Sequence, residues 1–111
     1  MRHEMNLNNE PFNLIKNGSK TIELRLYDEK RRLLKINDTI EFTNRKNQEK
    51  ILVEIVGLYK YDSFHELYNH FNKIQMGYHE EETCDPKDME KYYTKEEQSK
   101  YGVLGIEIKK I

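Results

Sequence analysis

The sequence predicts an α+β domain, a small and sharply bent mixed barrel of about five strands with short helices flanking it. Three observations carry that expectation. Apolar and polar residues alternate with period two in residues 20–27, 39–43, 50–60 and 103–110, the pattern of half-buried strands. Helix start and stop signals fall in the connections between those strands. The 111 residues, 36% hydrophobic and 35% charged, suffice for one domain, residues 1–111, with one modest core. There is no repeat, no linker and no low-complexity segment.

Taken in order, residues 1–7 suit an edge strand. Asn9 is placed to cap a helix, with Glu10 and Pro11 in its first turn. Phe12 and Ile15 share one face of it, and Gly18 stops it. The strand of residues 20–27 follows at once. Residues 28–35 read as one or two helical turns capped by Asp28, and Lys35 to Asp38 as a turn. In residues 39–43, Ile40 and Phe42 point inward; residues 44–48 make a polar hairpin loop. The longest strand, residues 50–60, is apolar on both faces and therefore central, with Gly57 marking a bulge or corner. Ser63 and Glu66 form a capping-box pattern opening a helix to Phe71, with Phe64, Leu67, Tyr68 and Phe71 as its apolar stripe. Residues 72–83 read as loop, and Asp85-Pro86 opens a short helix. Thr94 and Glu97 form a second capping box, on a helix that ends at Gly102. Residues 103–111 close the chain as a strand, with Leu104, Ile106 and Ile108 inward.

Composition narrows the function classes. A net charge of −1 argues against a uniformly basic nucleic-acid coat, though not against a local patch. The single cysteine, Cys84, excludes an internal disulfide framework and a multi-cysteine metal site. Its acidic neighbours should raise the thiol pKa. No apolar run is long enough for a membrane helix, so the expected setting is the cytoplasm, with no membrane partner. His65 and His70 stand five apart, about 140° round a helix, which is wrong for a shared zinc ion. Neither a metal nor a cofactor is expected.

Residues 18–25, Gly-Ser-Lys-Thr-Ile-Glu-Leu-Arg, carry the chemistry. Ile22, Leu24 and Leu26 point to one side of the strand; Thr21, Glu23, Arg25 and Tyr27 point to the other. Glu23 and Arg25 are then neighbours roughly 7 Å apart, and Lys20 stands just before them. Such a group suits a polar ligand with donors and acceptors, or a carboxylate activated beside cations. It equally suits a solvated strand face with an ion pair. Between residues 30 and 46, Lys30, Arg31, Arg32, Lys35, Arg45 and Lys46 face only Asp38 and Glu41. Of these, Arg31, Arg32, Arg45 and Lys46 are candidate phosphate contacts.

The Gly18–Arg25 stretch reads as G-x-K-x-x-E-x-R and resembles the signature of the ASCH domain family, named for activating signal cointegrator homology. Lys35 to Phe42 is similar to that family's basic turn leading into a strand, with Asn37 where glycine is usual, and Tyr92 to Glu107 to its last helix and closing strand. The resemblance implies a PUA-like barrel and a cleft, lined by the signature, that binds RNA or a nucleotide- or nucleoside-derived ligand. Some family members are amidohydrolases that deacylate N4-acetylcytidine with a lysine, a threonine and a glutamate. By position Lys20 matches the lysine, but Glu23 stands where the hydrolases have threonine; Thr21 is two residues away, and Glu66 is a candidate for the glutamate. Two readings follow. In a binding module, Lys20 and Arg25 hold a phosphate or carbonyl, and Glu23 accepts from a base amino group. Thr21 and Tyr27 share that face, and a tyrosine among Tyr27, Tyr59, Tyr61 and Tyr93 stacks on the base. In an amidohydrolase, Lys20 and Glu23 are catalytic, Glu23 as general base or nucleophile. A third class is a protein-interaction adaptor without a small ligand.

Overall fold

In the computed structural model, which describes residues 1–111, the alternating segments become a five-stranded mixed sheet curled into a half-barrel. The elements are β1 (Arg2–Leu7), α1 (Asn9–Lys16), β2 (Ile22–Leu26), β3 (Thr39–Asn44), β4 (Lys50–Tyr61), α2 (Phe64–Leu67), α3 (Lys95–Tyr101) and β5 (Val103–Lys110). Short 3-10 helices span Arg31–Leu33 and Pro86–Lys91. The strand order is β1-β3-β4-β5-β2. β4, apolar on both faces in the sequence, is the central strand; β1 and β2 are the two edges. β1 runs parallel to β3, with Arg2 opposite Thr39, and the other three pairings are antiparallel.

Each face of the curled sheet buries its own core. Inside the half-barrel, Phe12 and Ile15 of α1 pack on Ile40, Phe42, Val53, Ile55 and Ile106. On the outer face, Ile22, Leu24 and Leu26 pack with Phe64, Leu67, Met76, Met89 and Val103. Two small cores thus replace the single one that the composition suggested: β5 gives Leu104, Ile106 and Ile108 to the first and Val103 to the second, and β2 turns its one apolar side to the second. The chain from α2 to α3 covers the second core.

Several local expectations shift. Asn8 rather than Asn9 precedes α1 and makes no capping bond. The Asn9 amide oxygen instead accepts from Asn44 (2.9 Å) and Asn13 (3.2 Å). Residues 28–35 form only one 3-10 turn, where the Asp28 carboxylate accepts from the Arg31 N–H. α2 stops four residues early. There the N–H groups of Asn69 and His70 bond three residues back, to Glu66 and Leu67, which tightens the end into 3-10 geometry. Tyr68 and Phe71 still pack against the second core, as their stripe requires. The Thr94–Glu97 capping box is complete; at Ser63 only the half donated by the Glu66 N–H forms. Asn37 adopts φ +79°, a left-handed position that asparagine tolerates where the resembling motif has glycine. Gly57 lies at a bulge: Ile55 faces Ile108 and Gly57 faces Glu107, so Val56 is the extra residue and turns outward. A Cβ at Gly57 would lie 2.7 Å from Glu107 Oε1 and the Tyr59 hydroxyl, so a side chain there would displace that hydrogen-bonded pair.

Candidate functional site: a buried lysine–glutamate–arginine group under a tyrosine-walled cleft

The half-barrel does not close between its edge strands, and a cleft of about 510 Å³ opens in that gap. Leu7 and Asn8 at the end of β1, with Glu10, Pro11 and Leu14 of α1, form one wall. The segment from Tyr68 to Tyr93 forms the other. Lys20, Glu23, Leu24 and Arg25 lie between them.

The three charged residues are not on a solvated face. Glu23 is 3% exposed and Lys20 8%. The Lys20 ammonium is 3.0 Å from Glu23 Oε1. Arg25 meets Glu23 Oε2 with Nη2 at 2.7 Å and Nε at 2.9 Å. Arg25 Nη2 also donates to the Asn6 carbonyl at 3.1 Å, so it bridges the two edge strands that no ladder joins. Burial pushes the Glu23 carboxyl up, but the Lys20 and Arg25 charges outweigh burial and hold its pKa at about 2. For Arg25 burial acts downward, and Glu23 more than reverses it. Glu23 is therefore a permanently ionised carboxylate with a cation on each oxygen. Such a group fixes two cations; it is a poor proton acceptor near neutrality.

Lys20 precedes the ladder of β2. Its N–H bonds to the Leu14 carbonyl of α1 (3.0 Å), which locks the lysine at the junction of helix and strand. Gly77 passes directly over its stem, with φ +105°, and a Cβ there would lie 3.0 Å from Lys20 Cδ. The backbone angle favours glycine, and a side chain there would also press on the Lys20 stem.

The cleft wall is aromatic and hydrogen-bonded. The Tyr78 hydroxyl donates to Asp88 Oδ2 (2.7 Å) and lies 2.9 Å from the Tyr68 hydroxyl. Burial raises both phenols, Tyr68 to about 12. The Tyr93 phenol is raised by burial against the pull of neighbouring Arg25. Tyr92 stands 61% exposed at the mouth. The acidic run serves this wall. Asp88 holds Tyr78, Asp85 caps the 3-10 helix, and Glu82 accepts from the His79 N–H. Cys84 is raised by burial first and by Asp88 second, in the direction its acidic neighbours foretold.

The other sequence candidates lie elsewhere. Thr21 is half-buried outside the cleft lining; its backbone bonds to Gln75 and Ile108. Tyr27 lies beyond the cleft, with the Arg32 guanidinium carbon 4.9 Å and the Lys60 ammonium 4.7 Å from its ring centroid. Arg31 pairs with Asp28 at 3.1 Å. Arg45 donates to the Asn8 amide oxygen at 3.1 Å, beside the cleft, and Lys46 follows it on the turn. The four proposed phosphate contacts are thus two separate pairs. Glu66 is an exposed residue of α2, outside the cleft, and His70 stacks on Tyr61 at 4.8 Å. One group has metal-ligating atoms in mutual reach, Glu10, His79 and Glu82, within 4.8 Å of one another at the cleft mouth. It is exposed, and its members already hydrogen-bond to each other.

The model of one family, the ASCH domain, matches residues 5–111. The chain belongs to the ASCH domain family. Among solved structures it is similar to hypothetical protein PH0355, at 35% identity over 100% of both chains and a TM-score of 0.85. It is also similar to protein PF0455 from Pyrococcus furiosus, at 34% identity over 100% of this chain and 98% of that one, with a TM-score of 0.78. The ASCH structure from Zymomonas mobilis shares the PUA-like fold at 14% identity, covering 97% of this chain and 66% of that one, with a TM-score of 0.71. Comparison with curated proteins finds no match. In this ASCH domain the signature residues Lys20, Glu23 and Arg25 form the cleft floor. Sequence reading missed the wall residues Tyr68, Tyr78 and Asp88, whose only advance signal is the density of tyrosine and acid in residues 68–93. No helix is long and apolar enough to cross a membrane.

Proposed function

We propose that this ASCH domain binds RNA or a nucleotide- or nucleoside-derived ligand in the cleft, and binds it without turning it over. One observation carries the reading: a buried carboxylate holds two cations in fixed positions at the floor of a tyrosine-walled cleft of about 510 Å³. That volume suits a small ligand seated among apolar walls with a few convergent polar groups. Lys20 and Arg25 donate to a carbonyl or phosphate oxygen through the N–H groups that Glu23 and Asn6 leave free, the planar fork of Arg25 itself being held on Glu23. Tyr92 and Tyr93 offer ring faces to a base. Glu23 acts by positioning the cations, since each of its oxygens already accepts from one.

Amide hydrolysis is less well supported. A carboxylate held at about pKa 2 is a weak base, and no threonine lines the cleft.

The test screens purified protein against nucleosides, N4-acetylcytidine and short RNAs by thermal shift, with mass spectrometry of the same mixtures. The expected result is a stabilising ligand recovered unchanged. Lys20→Ala, Arg25→Ala and Glu23→Gln should each remove nearly all the shift, and the Lys20/Glu23 double variant should lose little more than either single one. Full binding by any single variant overturns the cleft as the site, and release of acetate from N4-acetylcytidine overturns binding without turnover.

A further inference from the structure

A second groove, also about 510 Å³, is built from residues that the cleft leaves out. It runs between the end of β4 and the 3-10 turn after β2, with Tyr27, Arg31, Leu58, Tyr59 and Lys60 along it. The sheet register creates it. β3 pairs with β4 only as far as Glu54, so beyond Gly57 one edge of β4 has no strand beside it.

Charge in the groove is one-sided. Arg32 and Lys60 both reach the Tyr27 ring, at 4.9 and 4.7 Å from its centroid. Arg31 lies on the adjoining turn, where the Asp28 carboxylate takes its Nη1 at 3.1 Å. Of the groove's lining residues only Arg31 and Lys60 are charged, and Glu107 beside it already accepts from the Tyr59 hydroxyl at 2.9 Å. Arg31 Nε is itself sealed from the groove and has no acceptor; the side chain keeps 17% exposure, so an anion in the groove would meet the exposed part of that guanidinium together with Lys60. The groove adjoins the cleft along one strand: Arg25 of the cleft floor and Tyr27 of the groove stand two residues apart on the same face, roughly 7 Å along the chain.

We propose that this groove holds the phosphodiester next to the nucleotide seated in the cleft, so that the domain takes a single strand of RNA across both sites rather than a free nucleoside. The inference rests on the cleft being a nucleotide site. It assigns Arg31, Arg32 and Lys60 to the backbone, where they add affinity without reading sequence. An acidic peptide would meet the same cations, but its carboxylates carry no base to stack in the adjoining tyrosine-walled cleft.

The test uses the full chain and calorimetry with cytidine and uridine, their dinucleotides and their octanucleotides, across a salt series. Affinity should rise steeply from nucleoside to dinucleotide. Lys60→Ala, an exposed change, should weaken dinucleotide and octanucleotide binding and reduce the slope of log affinity against log salt by about 0.7. Lys60→Glu should weaken them further, and both variants should bind the nucleosides like the parent. Dinucleotides no tighter than nucleosides, octanucleotide binding unchanged by Lys60→Glu, or equal competition by polyglutamate would overturn the second site while leaving the cleft reading intact. Failure of every nucleoside and oligonucleotide to bind would overturn both.

Discussion

At the scale of single residues, Glu23 determines what the cleft can be. Its side chain is almost wholly buried, and isolated burial would keep it protonated. The Lys20 and Arg25 cations reverse that and hold it at about pKa 2 against an ordinary value of 4.5. Its folded value is depressed, so its contribution to stability is present above the unfolded pKa and is lost as pH falls from there through about 2. A shift of that size corresponds to something on the order of 3 kcal/mol. Urea midpoints measured between pH 7 and pH 2 should therefore decline on the acid side, and Glu23→Gln should lower the neutral midpoint while flattening the acid limb. That substitution leaves Lys20 and Arg25 facing each other in a dry site, which is costlier than losing a surface ion pair. An unchanged neutral midpoint in Glu23→Gln would mean that the two cations are held by other contacts.

At the scale of elements, the segment from Tyr68 to Tyr93 turns half of a barrel into a cleft. Besides the Gln75 carbonyl, which takes the N–H groups of Thr21 and Ile22, two contacts set it over the floor. Gly77 crosses Lys20 at a backbone angle that side-chain-bearing residues rarely adopt. Gly77→Ala should destabilise the fold by about 1 kcal/mol or more and weaken ligand binding through displaced Lys20; a thermal melt and a binding isotherm together check this. At the mouth, His79 Nε2 lies 2.8 Å from Glu10 on α1. The Glu10 hydrogen bond leads in raising the His79 pKa above 6.5, with Glu82 and Glu81 adding to it. The raised folded value means that this link is fully present below pH 6.5 and is lost as pH rises through the folded pKa. Amide exchange in residues 76–82 should then quicken on the alkaline side, beyond the ordinary base-catalysed rate, and His79→Ala should remove that excess. The sequence let the strand at Ile22–Leu26 be read, because its alternation is local. It let Glu23 and Arg25 be placed on one face for the same reason. It did not show that this face turns inward, because that depends on β2 meeting β5 some eighty residues later. Nor did it reveal the wall. Tyr78 and Asp88 meet through chain that has hardly any periodicity, and a run of acids reads as solvent-facing until a phenol is found for one of them.

At the scale of the whole molecule, the open side of the sheet is itself the functional feature. A five-stranded sheet that curls this far leaves β1 and β2 facing each other as unpaired edges, which is a liability unless something covers or bridges them. Here the cleft occupies the gap, and Arg25 crosses it to the Asn6 carbonyl while also holding Glu23. One side chain thus joins the two ends of the sheet and the floor of the site, so barrel closure and ligand affinity should vary together. Arg25→Lys separates these roles. A lysine keeps the charge and can answer Glu23, but it lacks the planar fork that reaches both partners at once. The expected outcome is a loss of about 1–3 kcal/mol, the usual cost of removing a hydrogen bond from a charged donor, together with faster amide exchange along β1 and weaker ligand binding. Arg25→Ala should lose more, because it also strands the second oxygen of Glu23. Equal urea midpoints for the parent and Arg25→Lys, with β1 exchange unchanged, would show that the gap is held by packing of α1 alone and that the arginine serves only the ligand.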